Sequence, residues 1–152
     1  MKKVLIAVDY NPNSEKVAEA GYQLAKQMQA EICMIHVISD VRYYGMQYPN
    51  FMGYEGYDQM VIDLNMAGQM AKVAEDFLQK TKEHFNDPNL STHMAEGDTA
   101  EAILNYASQW HADILVLGTH SHSALEKLFV GDVASDILKS AEIPLYIIPI
   151  RE

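Results

Sequence analysis

One segment concentrates residue types that can do chemistry. Gly118, Thr119, His120, Ser121, His122 and Ser123 follow an apolar run, and after Ala124 to Val130 come Gly131, Asp132 and Val133. A glycine directly after a buried strand permits a sharp turn and a close backbone approach to a ligand. A second glycine opening a helix exposes N–H groups at the positive end of the helix dipole. Phosphate oxygens can be cradled by such backbone donors without Lys or Arg. A second polar turn, Asp9, Tyr10, Asn11, Pro12, Asn13 and Ser14, follows the apolar run Val4 to Val8 and supplies a carboxylate. His120 and His122 have a spacing at which both could face a metal, but a structural zinc site takes four ligands, and no paired Cys/His cluster accompanies them. Neither a Gly-x-Ser-x-Gly nucleophile elbow nor a Gly-x-x-x-x-Gly-Lys-Ser/Thr phosphate loop is present.

Charge narrows the choice of ligand. Lys and Arg number 11 against 21 Asp and Glu, a formal charge of −10. Such a balance opposes non-specific binding to nucleic acid or anionic lipid, which relies on clustered cations. An anionic ligand must then be held by local backbone donors.

The elements that must position these residues alternate in type. Val4 to Val8 is a continuous apolar run, the pattern of a strand buried on both faces. From Ser14 the positions Val17, Gly21, Leu24, Ala25 and Met28 recur at helical spacing, predicting a helix that ends near Gln29. Ile32 to Ile38 predicts a second strand, Met60 to Phe85 a long helix, and Ser91 to Ala95 a weaker third strand. Asp98 and Glu101 have capping-box spacing ahead of a helix running to about Gln109. Asp113 to Leu117, Asp132 to Ala141 and Leu145 to Ile150 predict a fourth strand, a last helix and a fifth strand. Strands separated by helices need crossover connections, so a doubly wound, largely parallel five-stranded α/β sheet with helices on both faces is expected. At 152 residues one domain, 1–152, can bury an adequate core without disulfide or metal.

Other features set the surroundings. Cys33, the only cysteine, lies in the run Ile32 to Ile35 and reads as a small buried hydrophobe. His36, in the same strand, reads as a satisfied core residue. The apolar run after Met1, Lys2 and Lys3 stops at Asp9, short of a secretory h-region, and no segment has the roughly 18 to 20 apolar residues of a membrane span. A soluble, cytoplasmic setting is expected. Residues 41–59 hold Tyr43, Tyr44, Tyr48, Phe51, Tyr54 and Tyr57 among glycines and a proline, without sustained period. This aromatic-rich insertion reads either as a loop packed on itself or as a lid or partner surface.

Gly118, two residues, Ser121, nine residues and Gly131 closely resemble the nucleotide loop of the universal stress protein family, whose ATP-binding members read Gly, two residues, Gly, nine residues, Gly, then Ser or Thr. The resemblance runs through the chain. Val4 to Asp9 is similar to that family's opening strand and acidic residue, Gly97 to Ile103 to its third-strand exit, Ala112 to Thr119 to its fourth strand and Ile143 to Pro149 to its closing strand. It implies an adenine nucleotide alpha hydrolase-like fold and a site for ATP or AMP, with Mg²⁺ accompanying ATP. Carried onto this chain, Asp9 would face the ribose or metal, and Val37 would offer backbone groups to adenine. Gly118, Thr119, His120, Ser121, Gly131, Asp132 and Val133 would form the phosphate track. It also implies a homodimer through Leu145 to Ile150.

Two positions depart from that pattern. Ser121 replaces a glycine, and its Cβ narrows backbone approach. Asp132 replaces Ser or Thr, and its carboxylate either caps the last helix, repels phosphate, or bridges to it through Mg²⁺. The alternative to a nucleotide-responsive stress module is therefore a nucleotide-free dimeric interaction protein, with a protein partner that the sequence does not name, whose recess Ser121 and Asp132 close. Slow ATP hydrolysis by Asp9 or His120 is the enzymatic alternative. The turn after the first strand lacks the Ser-Gly-Gly-x-Asp-Ser of adenylating enzymes.

Overall fold

The computed structural model describes residues 1–9, 13–38, 70–119 and 132–150. In chain order the elements are β1 (Lys3–Ala7), α1 (Ser14–Gln27), β2 (Glu31–Ile38), α2 (Met70–Phe85), β3 (Ser91–Glu96), α3 (Thr99–Trp110), β4 (Ile114–Gly118), α4 (Asp132–Ser140) and β5 (Leu145–Ile148). The strands form one sheet in the order β3-β2-β1-β4-β5, with every neighbouring pair parallel. The chain thus builds outward from β1 to β3, then returns across β1 to lay down β4 and β5. Strand order reverses between β1 and β4.

Both faces of the sheet are covered. On one, Val4, Ile6, Ile32, Met34 and Val116 pack with Val17 and Ala18 of α1 and with Val73, Phe77 and Leu78 of α2. On the other, Leu5, Cys33, Ile35 and Leu115 meet Ile103 and Ala107 of α3 and Ala134 and Ile137 of α4. Alternate side chains of each strand enter opposite cores, which is why β1, β2 and β4 read as unbroken apolar runs and not as alternating ones. At about 1.5–3 kcal/mol for each large aliphatic or aromatic side chain buried, these two layers supply the fold's main driving force. Cys33 is buried as expected, and desolvation pushes its thiol up.

Helix ends account for most differences from the expected boundaries. Helix α1 stops at Gln27 because Gln29 takes a left-handed φ of 55°. Its amide donates to the Lys26 carbonyl, and that of Ala30 to the Ala25 carbonyl, a Schellman closure built without glycine. His111 (φ 61°) closes α3 in the same way, with Ala112 donating to the Ala107 carbonyl. At the start of α3 the Asp98 Oδ2 accepts from the Glu101 amide at 3.0 Å, the forward bond of the expected capping box. Of the helix expected over 60–85, residues 60–69 lie outside the described residues, as does the aromatic insertion 41–59. Strand β5 ends at Ile148, two residues short of expectation, although the Ile150 amide still donates to Thr119 Oγ1 across the strand ends. No helix among the described residues is long and apolar enough to cross a membrane.

Candidate functional site

Strand order reverses between β1 and β4, and in open α/β sheets such a reversal marks the crevice, beyond the carboxyl ends of the strands, where ligands bind. Register brings separate parts of the sequence to this point. Ala7 pairs with Ile35 and Ile6 with Val116. Continued beyond the strand ends, the first offset sets Asp9 beside Val37, and the second sets Asp9 beside Thr119. A carboxylate from the first turn and a hydroxyl from the fourth are therefore brought to one end of the sheet from positions far apart in the chain.

Each is held by neighbouring elements. The Asp9 amide donates to Ser14 Oγ at 3.0 Å, which ties the β1 exit to the first residue of α1. The Val8 amide donates to the Ile35 carbonyl at 2.9 Å, and the Val8 carbonyl faces Nδ1 of His36 at 3.1 Å. A carbonyl only accepts, so Nδ1 carries the proton. Burial pushes the His36 imidazole down to about 4, partly opposed by its bond to Val8, so the ring is neutral near pH 7. Its ring meets Phe77 edge-on, with centroids 5.2 Å apart. On the β4 side, the Thr119 amide donates to the Ile148 carbonyl at 3.0 Å while Thr119 Oγ1 accepts from the Ile150 amide at 2.9 Å. Thr119 is thereby pinned to the chain leaving β5.

Gly118 proves to have a packing reason in addition to any ligand reason. A β-carbon there would stand 2.6 Å from Val17 Cγ2 and 2.6 Å from Ile150 Cδ1. Helix α1 crosses β1 and β4 closely, and at Gly21 an added carbon would likewise meet Ile6 Cδ1 at 2.9 Å and Val116 Cγ1 at 3.0 Å. The missing side chains let α1 sit near the crevice and carry Ser14 to Asp9.

Of the expected site residues, Asp9, Val37, Gly118, Thr119 and Val133 are described, and Asp9, Val37, Gly118 and Thr119 gather at the strand ends. Val133 lies in the first turn of α4 and is part-exposed. Asp132 is the first residue of α4, one place inside the capping position, and its side chain lies outside the described residues. His120, Ser121 and Gly131 lie outside them too, as does His122 of the considered metal pair. Among the described residues no group of three or more His, Cys, Asp and Glu could hold a metal. Ser14 and His36 are the contributors that spacing did not single out. The presence of a histidine in an otherwise apolar strand was the available signal for the second. A groove of about 350 Å³ between α3 and α4 is lined by Asp98, Glu101, Leu104, Asp136 and Lys139 and by none of the expected site residues, so it is separate from the crevice.

A five-stranded parallel sheet wound in both directions from β1, with helices on both faces, defines a doubly wound α/β domain. Comparison with known proteins makes the assignment specific. The family model described as the universal stress protein family matches residues 1–149, and the chain belongs to that family. A universal stress protein of Methanocaldococcus jannaschii is 26% identical over 149 residues, covering 97% of this chain and 81% of the relative. Among solved structures, the universal stress protein UspA from Lactobacillus plantarum superposes with a TM-score of 0.71 at 21% identity, covering 97% of each chain. A universal stress protein in complex with cAMP is similar at TM-score 0.63 and 13% identity, over 97% of this chain and 95% of that one. One from Archaeoglobus fulgidus in complex with dAMP is similar at TM-score 0.54 and 17% identity, over 97% of each.

Proposed function

We propose that this chain is a cytoplasmic stress-response module that binds an adenine nucleotide, ATP or AMP, in the crevice between β1 and β4. The observation that carries the reading is the convergence of Asp9 and Thr119 on the one place where strand order reverses. Two structural neighbours, in complexes with cAMP and dAMP, support the ligand class. Asp9 meets the ribose or a metal, Val37 presents backbone groups to the base, and the segment from Gly118 through Thr119, His120 and Ser121 to Gly131, Asp132 and Val133 carries the phosphates. Phosphate is held by N–H groups of this loop and of the start of α4, which suits a chain of charge −10. Mg²⁺ brought with ATP fits the donor set, since such ions take one or two carboxylates together with phosphate oxygens, and Asp9 supplies a carboxylate at the crevice.

The chain works as a homodimer joined through the strand region Leu145 to Ile150. Strand β5 is an edge of the sheet, and Tyr146 is 41% exposed there, with Leu138 of α4 at 48%. An apolar edge strand is a ready template for another strand.

A second reading, a nucleotide-free interaction protein, is favoured by the packing at Gly118, because the contacts with Val17 and Ile150 explain that glycine without a ligand. Calorimetric titration of stripped protein with ATP and AMP separates the two. Heat of binding that saturates at one nucleotide per chain supports the first reading, and its absence up to millimolar nucleotide supports the second.

A further inference from the structure

The peptide group joining Val8 to Asp9 is bonded at both of its poles. Its carbonyl accepts from His36 Nδ1 at 3.1 Å, and its N–H donates to Ser14 Oγ at 3.0 Å. In a planar trans peptide these two groups point in opposite directions, so a pair of bonds from opposite sides fixes the rotation of the whole plane. The two partners come from different elements, His36 from β2 and Ser14 from the first residue of α1, and both are buried. Rotating the plane would break both bonds at once and leave two buried side chains without that partner.

Core packing alone gives a poor account of this pair. The His36 ring occupies a position in a strand otherwise composed of apolar side chains between Ile32 and Ile38, where an aliphatic residue would bury surface without a polar atom to satisfy. Ser14 opens α1, yet its oxygen accepts from Asp9, outside the helix, while Asn13 stands at the cap position with no side-chain cap bond. Both polar atoms are directed to the single peptide group that precedes the crevice carboxylate.

We propose that His36 and Ser14 are positioning residues of the crevice, which clamp the Val8–Asp9 peptide group and thereby fix where the Asp9 carboxylate stands relative to the ribose of a bound adenine nucleotide. The inference rests on the nucleotide reading above and adds to it the two side chains that set the geometry of Asp9. Neither touches the ligand. The clamp is insensitive to pH near neutrality, since His36 remains neutral there and retains its donor proton.

The test compares the full-length protein with His36→Leu, His36→Asn and Ser14→Ala, titrating each with ATP and with 2′-deoxy-ATP below its own thermal midpoint. Leucine removes the donor, whereas asparagine can place an amide N–H near the position of Nδ1. The expected result is that His36→Leu and Ser14→Ala each lose about tenfold in ATP affinity and narrow the gap between ATP and 2′-deoxy-ATP, and that His36→Asn regains most of both. Variants that bind as the parent does, with only the thermal midpoint lowered, would overturn the clamp and leave nucleotide binding standing. His36→Asn binding no better than His36→Leu would overturn the role of the hydrogen bond. Should His36→Leu fail to fold, Ser14→Ala decides alone. A parent protein that binds neither nucleotide would overturn the nucleotide reading itself, and the clamp's purpose with it.

Discussion

Val17 Cγ2 on α1 fills the space that a β-carbon on Gly118 would need, 2.6 Å from where that carbon would stand. Helix α1 is thereby seated against the end of β4, at the edge of the crevice. Gly118→Ala forces both Val17 and Ile150 aside, and overpacking of this kind costs about 1–3 kcal/mol. The denaturant midpoint should fall accordingly, without change in the slope of the transition. Because the clash exists without ligand, the loss should appear in nucleotide-free protein. An unchanged midpoint would show that the glycine is needed for something other than packing.

His36 makes stability depend on pH in a defined window. Burial lowers its imidazole from 6.5 to about 4 in the fold, so the unfolded chain takes up this proton first as pH falls. The contribution of the neutral ring is complete above pH 6.5 and is lost as pH falls from 6.5 through 4, amounting to about 3 kcal/mol. Chemical denaturation of the parent and of His36→Asn at pH 7, 6, 5 and 4.5 measures the difference. The parent should lose stability more steeply with acid. His93, lowered in the same direction by burial, is present in both proteins and cancels from the comparison.

The sheet was legible in the sequence because both of its faces are buried. Unbroken apolar runs such as Val4 to Val8 and Ile32 to Ile38 have few other uses in a chain of this composition, and alternation with helical spacing forces parallel crossovers. Helix ends were less legible, since Gln29 and His111 close their helices in left-handed conformations without the glycine that would announce a stop. Asp9 and Thr119 were identified by their positions after strands. His36 stands out in the sequence only as a histidine in an apolar strand, and the link between it and Ser14 is not legible there, because their shared partner is a backbone peptide. Gly118 was read from its place in a loop, whereas its contact with Val17 depends on how α1 crosses the sheet.

Asp132 tests the electrostatics of the phosphate track. Asp132 is the first residue of α4, the helix end proposed to receive phosphate. At about 4 Å in surroundings of intermediate dielectric, two negative charges repel by roughly 4 kcal/mol, of which screening leaves a part. Asp132→Ser should therefore strengthen ATP binding by about tenfold in chelator-treated samples. With Mg²⁺ present the gain should shrink, since the ion offsets the repulsion in the parent. Isothermal titration under both conditions measures it.

The edge strand offers a test of assembly. If copies join through β5, replacing the exposed Tyr146 by Asp places like charges against each other across the two-fold axis. The parent should sediment as a dimer, and Tyr146→Asp as a monomer with little change in thermal midpoint. A parent that sediments as a monomer at micromolar concentration contradicts this surface.

The crevice between β1 and β4 is proposed to receive an adenine nucleotide through Asp9 and the segment that begins at Gly118. The most direct test is an amide NMR titration of nucleotide-free, isotope-labelled protein with AMP and with ATP. Saturable shifts centred on Asp9, Val37, Gly118 and Thr119, with the lower ends of the strands around Lys3 and Asp113 unmoved, are the predicted result. A spectrum unchanged at millimolar nucleotide, or shifts confined to the groove around Glu101 and Asp136, would contradict it.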